Sequence, residues 1–259
     1  MTALHAGLAL LIGLAAGILS GVFGVGGGIA MTPGVQVLLG TPAITSLATP
    51  LPVIIPTAFT GAWRYRSAGE FDPVGARWMA IPGFFTAIGG ALLTKVIEPD
   101  ILLLVTAALL VWQSVSLLRG GRPKEDGRTK PRRPATAGSF AVIGALAGVV
   151  SGLLGIGGGL IMVPLMVSWL GLPLKRALGT SLAAMLAMVI PGTVVHAALG
   201  HIDWRLALVL SIGAVPGARI GANLALGSRE RTLRLAVGGF LLAAGVLYGG
   251  KELAHLLRG

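Results

Sequence analysis

Two glycine-rich strings contain the residues of this chain that are best suited to binding a ligand. GILSGVFGVGGGIAMTP occupies residues 17–33, and GVVSGLLGIGGGLIMVP occupies residues 148–164, about 131 positions later. Three consecutive glycines favour a broken helix, and a helix that starts after them directs free N–H groups and a positive dipole end at one place. This arrangement binds anions. The candidate glycines are Gly26, Gly27, Gly28, Gly157, Gly158 and Gly159.

Hydroxyl side chains accompany both strings at matched positions. Ser20 and Ser151 precede the triplets, and Thr49, Thr180 and Ser181 lie at the start of a later apolar segment in each half. Hydroxyls there could donate to an oxyanion. The alternative is ordinary hydrogen bonding within and between membrane helices, which leaves both roles open.

Arg219 and Asn223 add a possible cationic element to the site. They lie one helical turn apart in an apolar segment. An arginine in such a segment usually faces a cavity or a partner, and its guanidinium can form two hydrogen bonds with one anion. The alternative is that Arg219 extends along the helix towards the basic residues near Arg229.

The sequence gives little support for a metal site, a nucleotide-binding site or a catalytic site. His196, His201 and Asp203 have loose spacing for metal ligands and read better as polar residues at a membrane edge. The glycine strings lack both the lysine of a phosphate-binding loop and the third glycine of a dinucleotide fingerprint. Since cysteine is absent and the histidines and acids are peripheral, we predict no enzyme, no catalytic residue, no metal site and no cofactor.

Composition places the chain in a membrane. Apolar residues make up 54% and charged residues 11%, whereas a soluble domain is about a quarter charged. The net charge of +11 lies in short loops between apolar runs, as in membrane proteins. Nucleic-acid binding is therefore not expected.

Ten apolar segments, five in each half, follow from the hydropathy pattern. They are residues 4–23, 28–40, 43–63, 74–96, 100–118, 136–154, 159–171, 175–196, 204–226 and 232–250. Most are long enough to span a bilayer, and the second of each half is a short tilted helix or a re-entrant one. The predicted fold is an all-α polytopic membrane protein of two homologous repeats with glycine-broken or re-entrant first and second segments.

Basic residues predict the domain division and the orientation. Residues 1–118 form the first transmembrane repeat and 135–259 the second, while 119–134 form a linker with seven basic residues, which should be cytoplasmic. The loop with Arg64, Arg66 and Arg77 is more basic than its counterpart at 196–205. This difference favours an inverted second repeat with ten crossings and both termini outside. The alternative is eight crossings with parallel repeats.

The doubled glycine string, with Thr49–Pro50, Thr180–Ser181 and the stretches 200–204 and 216–221, resembles the TauE/SafE family of sulfite and organosulfonate exporters. The resemblance covers nearly the whole chain. It implies a secondary transporter for small anions, with sulfite or a small organosulfonate as substrate. An anion channel or a non-transporting scaffold is the alternative.

The expected partners are a small anion and the lipid bilayer, and a homo-oligomer is left open. The expected location is the cell membrane of a prokaryote, as a multi-pass protein. Export or import, and the coupling ion, are left open as well.

Overall fold

The computed structural model describes residues 3–93, 108, 111–112, 114–115, 135–154, 157–239, 242–243 and 246. These residues form helices joined by short connections, with no strand among them. The segment predicted at 100–118 and the linker at 119–134 lie almost wholly outside the described residues, and the segment at 232–250 lies partly outside them.

Helices account for both halves of the described chain. In the first half these are α1 (Ala3–Phe23), α2 (Gly28–Leu38), α3 (Ala43–Ala48), α4 (Pro50–Ser67) and α5 (Pro73–Leu93). In the second half they are α6 (Ala137–Leu154), α7 (Gly159–Ser168), α8 (Leu174–Ala198) and α9 (Trp204–Gly227). Residues 230–239 are also helical.

Five helical stretches of the described chain are long and apolar enough to cross a membrane. They are Leu4–Phe23, Ile44–Ser67, Pro73–Leu93, Leu174–Ala198 and Trp204–Gly227. The second of these combines α3 and α4, which meet at Thr49–Pro50 because proline has no N–H to continue the helical ladder. The short helix α7 is buried from Gly159 to Val167 and lies within the largest core cluster.

Glycines let helices from opposite halves pack backbone against backbone. A Cβ added on α1 would strike the α9 main chain at three places that advance together: Gly13 against Leu210, Gly17 against Ala214 and Gly21 against Ala218. Helices α6 and α5 pack in the same manner: Gly144 against Met79, Gly148 against Gly83 and Gly152 against Ala87. In each pair of helices the residue numbers of the two partners rise together from one contact to the next. Helix α1 therefore runs parallel to α9, and α5 runs parallel to α6. Small residues at such contacts are typical of membrane helices.

Helices α4 and α8 cross the centre in opposite directions. A Cβ on Gly61 would lie 2.8 Å from Leu182 Cδ1, and one on Gly192 would lie 3.7 Å from Leu51 Cδ1. The later residue of α4 contacts the earlier residue of α8, and the earlier residue of α4 contacts the later residue of α8, so the two helices are antiparallel. Helix α4 begins beside α9, through Thr49 and Asp203, and helix α8 begins beside α5, through Thr180 and Asp72.

These directions define two ends of the bundle. The Thr49 end is where α1, α3 and α9 begin, and the Thr180 end is where α5, α6 and α8 begin. The Lys175 Nζ donates to the Leu226 carbonyl at 2.6 Å, which joins the start of α8 to the last turn of α9 at the Thr180 end.

The packing of α1 on α9 predicts opposite effects for one substitution at two glycines of α1. No atom of the described residues lies within 4 Å of a Cβ on Gly7, whereas Gly17 faces the Ala214 main chain, with its Cα at 2.8 Å. We expect Gly7→Ala to leave stability unchanged or raise it by about 0.5–1 kcal/mol, because alanine favours helix. We expect Gly17→Ala to cost about 1–3 kcal/mol through overpacking. Thermal unfolding in detergent measures both, and equal shifts would contradict the close contact.

Candidate functional site

The connection between α1 and α2 depends on left-handed backbone. Gly24, Gly26 and Gly27 have φ of 67°, 79° and 75°, a region that costs other L-residues roughly 1–2 kcal/mol each. Gly27 is the N-cap of α2, which begins at Gly28. These glycines therefore reverse the chain between the end of α1 and the start of α2. We call residues 24–27 the first glycine turn.

The first glycine turn carries the chain back into the bundle. A Cβ on Gly27 would lie 2.9 Å from the Ala16 carbonyl oxygen, and one on Gly34 would lie 2.9 Å from Ile12 Cγ2. Helix α2 thus runs antiparallel to α1 and returns to the Thr49 end. Ala16 lies seven residues before Phe23, the last residue of α1. Gly27 therefore lies beside α1 about 10 Å before the end of that helix.

The second triplet repeats this arrangement. Gly157 and Gly158 have φ of 85° and 71°, and Gly158 is the N-cap of α7. A Cβ on Gly158 would lie 2.8 Å from the carbonyl oxygen of Ala147, which matches Ala16 at the 131-residue spacing. We call residues 157–158 the second glycine turn.

The start of α7 touches the first glycine turn. A Cβ on Gly159 would lie 2.9 Å from Val25 Cα and would also strike the Gly24 carbonyl. Helices α2 and α7 have 11 and 10 residues, which gives lengths of about 16 and 15 Å. Together they match the roughly 30 Å of a hydrocarbon core. Their N-terminal ends therefore converge near the middle of the bundle, and their C-terminal ends point to opposite ends.

Backbone donors and helix dipoles converge at this place. In α2 the N–H groups of Ala30 and Met31 both bond the Gly27 carbonyl, and Gly158 accepts equivalent bonds in α7. The amides before them, at 28–29 and 159–160, precede each helix's own hydrogen-bond ladder. The described acids, Glu70, Asp72, Asp203 and Glu230, lie in connections or at the first residue of a helix. The local field thus favours an anion.

The serines near the turns differ in what they bind. Ser20 is completely buried, and its Oγ has no hydrogen-bond partner among the described residues. Ser181 is also buried, and its Oγ lies 3.1 Å from the Gly24 carbonyl and 2.9 Å from the Leu178 carbonyl, so it fastens the first glycine turn to α8. Ser151 is 4% exposed. An unpaired buried hydroxyl is costly, and one in a native structure calls for an explanation.

Sequence reasoning missed Met185, which fills the space between the two turns. A Cβ on Gly157 would lie 2.7 Å from Met185 Sδ, one on Gly159 would lie 2.7 Å from its Cε, and one on Gly26 would also strike the sulfur. A methionine in an apolar span carries no signal of this position. Tyr65 was missed as well: it is buried, and its hydroxyl donates to the Gly21 carbonyl at 2.8 Å.

The remaining predicted site residues lie elsewhere. Thr49 and Thr180 are buried, and their hydroxyls accept backbone N–H groups of aspartates from the opposite half. Arg219 and Asn223 are exposed on α9, and the Asn223 Oδ1 accepts a hydrogen bond from Arg64 Nε. The structure therefore brings together the glycines and Ser181, and it gives the two threonines and Asn223 other partners. Ser20 lies buried on α1, four residues before Gly24.

The histidines at the end of α8 pair with each other. His196 Nδ1 and His201 Nδ1 lie 3.2 Å apart, while Asp203 caps α9 by accepting the Leu206 N–H at 3.0 Å. Among the described residues no group of three or more His, Cys, Asp or Glu side chains could hold a metal ion. The pairing follows from the turn, in which the His201 N–H bonds the His196 carbonyl at 3.0 Å.

The long apolar helices and the buried, glycine-linked interior define a multi-pass membrane protein. A family model described as "Sulfite exporter TauE/SafE" matches residues 9–248. The chain belongs to this family, which confirms the resemblance read from the sequence, and it is a membrane transporter of the TauE/SafE type.

Similar proteins are named as transporters. The chain is 29% identical over 221 residues to a probable membrane transporter protein, YdhB, of Bacillus subtilis, covering 83% of this chain and 89% of that one. It is 28% identical over 248 residues to a probable membrane transporter protein of Xylella fastidiosa, covering 92% and 90%. No solved structure matches the chain significantly.

The contact of Met185 with the glycine turns predicts energetic coupling. We expect Gly26→Ala to destabilise the protein by about 1–3 kcal/mol, because it places a Cβ at positive φ and against the Met185 sulfur. In a Met185→Ala background the same change should cost at least 0.5 kcal/mol less, since the obstructing atom is gone.

Gly40→Ala is the matched control, because Gly40 has φ of 63° and no atom of the described part of the chain lies within 4 Å of its added Cβ. Its cost should be the same with and without Met185→Ala, as measured by chemical unfolding in detergent. Strict additivity for Gly26 would contradict the contact.

Proposed function

We propose that this protein is a secondary transporter of small oxyanions, and that sulfite or a small organosulfonate is its substrate. The observation that carries the proposal is the meeting of two helix N-termini, each behind a left-handed glycine turn, in the middle of the bundle. Main-chain N–H groups and dipoles at such ends bind anions without a charged side chain. The family description, which names sulfite export, supports the choice of substrate.

We propose further that the two halves are inverted repeats. Three pairs of matched helices support this, because their members run in opposite directions: α1 and α6, α4 and α8, and α5 and α9. Each short helix also returns the chain from the middle towards one end, so it counts as a crossing in the chain path. Inverted repeats around a central site formed by broken helices are an architecture used for alternating access.

The charge distribution supports an orientation in which the Thr180 end is cytoplasmic. Ten lysines and arginines occur in the described residues. Arg205, in the first turn of α9, lies at the Thr49 end, and the other nine lie at or nearer to the Thr180 end: Arg64, Arg66, Arg77, Lys175, Arg176, Arg219, Arg229, Arg231 and Arg234. Such an excess marks the cytoplasmic side. A prokaryotic cell membrane is the proposed location.

Binding in this site requires a change of side-chain position. Met185 occupies the place where the two turns face each other, so an anion can enter only when this unbranched and flexible side chain moves. The Ser20 hydroxyl then supplies a donor, and the amides at 28–29 and 159–160 supply the remainder. We place Ser151 beside the second turn as the matched donor.

A substitution of Ser20 can test anion binding without a loss of protein stability. Reconstituted liposomes should transport sulfite, and Ser20→Ala should raise the KM for sulfite about 5- to 10-fold, because one hydrogen bond to the anion is lost. Stability should stay the same or rise, because the hydroxyl has no partner within the described protein.

Ser211→Ala is the control, since its hydroxyl bonds the Ala207 carbonyl of its own helix at 2.8 Å. It should leave the KM unchanged. Absence of transport for sulfite and sulfoacetate alike, or a normal KM in Ser20→Ala, would overturn the proposed site.

A further inference from the structure

The two halves are joined by one pair of contacts that occurs twice. The Asp203 N–H donates to Thr49 Oγ1 at 3.2 Å, and the Asp72 N–H donates to Thr180 Oγ1 at 3.0 Å. Asp203 follows Asp72, and Thr180 follows Thr49, by the same 131 positions. Each contact therefore joins the threonine of one half to the aspartate of the other, and the two contacts exchange these roles.

Each contact holds the start of a membrane-spanning helix. The Asp203 carboxylate accepts the Leu206 N–H at 3.0 Å and caps α9, and the Asp72 carboxylate accepts the Val74 and Gly75 N–H groups, each at 3.0 Å, and caps α5. The aspartate side chain thus fixes its own helix, while its main chain is held by the other half. Loss of the threonine hydroxyl would remove this hold on the start of α9 or α5 without removing its cap.

The contacts lie at opposite ends of the bundle, with the glycine turns between them. Four residues after each threonine, one helical turn further along its helix, lie Val53 and Ala184, both completely buried. Both contacts are formed in this structure, in which the start of α7 touches the first glycine turn and Met185 lies between the two turns. The two contacts are therefore present at the same time.

We propose that the two threonine–aspartate contacts are the two gates of the transport path. The Thr49–Asp203 contact closes the Thr49 end, the Thr180–Asp72 contact closes the Thr180 end, and one opens while the other holds. The inference rests on the proposed transport function. It gives Thr49 and Thr180 the role of gate residues in place of the anion-binding role expected from sequence.

The strength of these contacts suits reversible gates. Each is a bond between neutral groups, and such a bond changes an equilibrium by roughly 2- to 12-fold. An ionic contact of desolvated groups would hold an end closed more firmly. Among the described residues the Thr180 hydroxyl has one further bond, also neutral, to the Arg176 carbonyl at 2.6 Å. Each contact therefore adds only a modest amount to the cost of opening its end.

The chain has no cysteine, so a single reporter cysteine gives an unambiguous signal. Val53→Cys reports on the Thr49 end and Ala184→Cys reports on the Thr180 end. Each is introduced into the whole chain in nanodiscs, and its labelling rate with a hydrophilic maleimide is measured. Both ends are accessible to the reagent there, so the result does not depend on membrane orientation.

Thr49→Val should raise the labelling rate of Val53→Cys roughly 2- to 12-fold and leave that of Ala184→Cys unchanged or lower. Thr180→Val should give the mirror result. Thr49→Ser and Thr180→Ser keep the hydroxyl and should restore the parent rates. Where a valine variant does not fold, Thr49→Ala or Thr180→Ala removes the same hydroxyl.

Unchanged labelling rates, or an equal rise at both reporter cysteines, would overturn the proposal that these contacts are gates. The labelling needs no substrate, so it is independent of the proposed function. If the reporters respond as expected and no sulfur oxyanion crosses, the gates stand and the substrate proposal fails. If sulfite crosses and the reporters do not respond, the gates fail and the substrate proposal stands.

Discussion

The structure depends on a reversal of the main chain inside an apolar bundle. A chain that turns back at membrane depth must adopt left-handed backbone and pass within van der Waals distance of neighbouring helices, and glycine alone does both without strain. The reversal at Gly26 and Gly27 places the start of α2 beside Ala16, and the equivalent reversal places α7 beside Ala147. Irregular backbone at this depth is tolerated where protein surrounds it.

The same constraint explains why the centre carries no ion pair among the described residues. Charged side chains in a bilayer are costly, and the described lysines, arginines, aspartates and glutamates lie mainly at the two ends of the bundle or on its exposed surface. Helix ends supply partial positive charge instead, at no cost in side-chain desolvation. The proposed function uses this partial charge of the helix ends, because an anion can be held between two such ends and still be released.

Much of the fold could be read from the sequence. Helix α1 was predicted at 4–23 and lies at Ala3–Phe23, and the short second segments begin at Gly28 and Gly159 beside the triplets. The α3–α4 break at Pro50 was not predicted, although proline within the segment was a signal. The agreement for α1 rests on apolar length, which acts locally along the chain.

What depends on the relative position of the two halves could not be read. Helical spacing placed Arg219 and Asn223 on one face, but could not say that both are exposed and that Asn223 contacts Arg64. The match of Asp72 with Asp203 was visible in sequence, whereas their contacts with Thr180 and Thr49 require the packed structure. Met185 gave no sign of its place between the glycine turns, because any buried methionine looks the same in a sequence.

The central claim is that an anion binds between the two glycine turns. A crystal structure with 2-bromoethanesulfonate, a small organosulfonate that carries an anomalous scatterer, tests this most directly. We expect the bromine signal beside residues 26–28 and 157–159, with the Met185 side chain displaced. A bromine signal found only at the basic end, beside Arg219, would contradict the account.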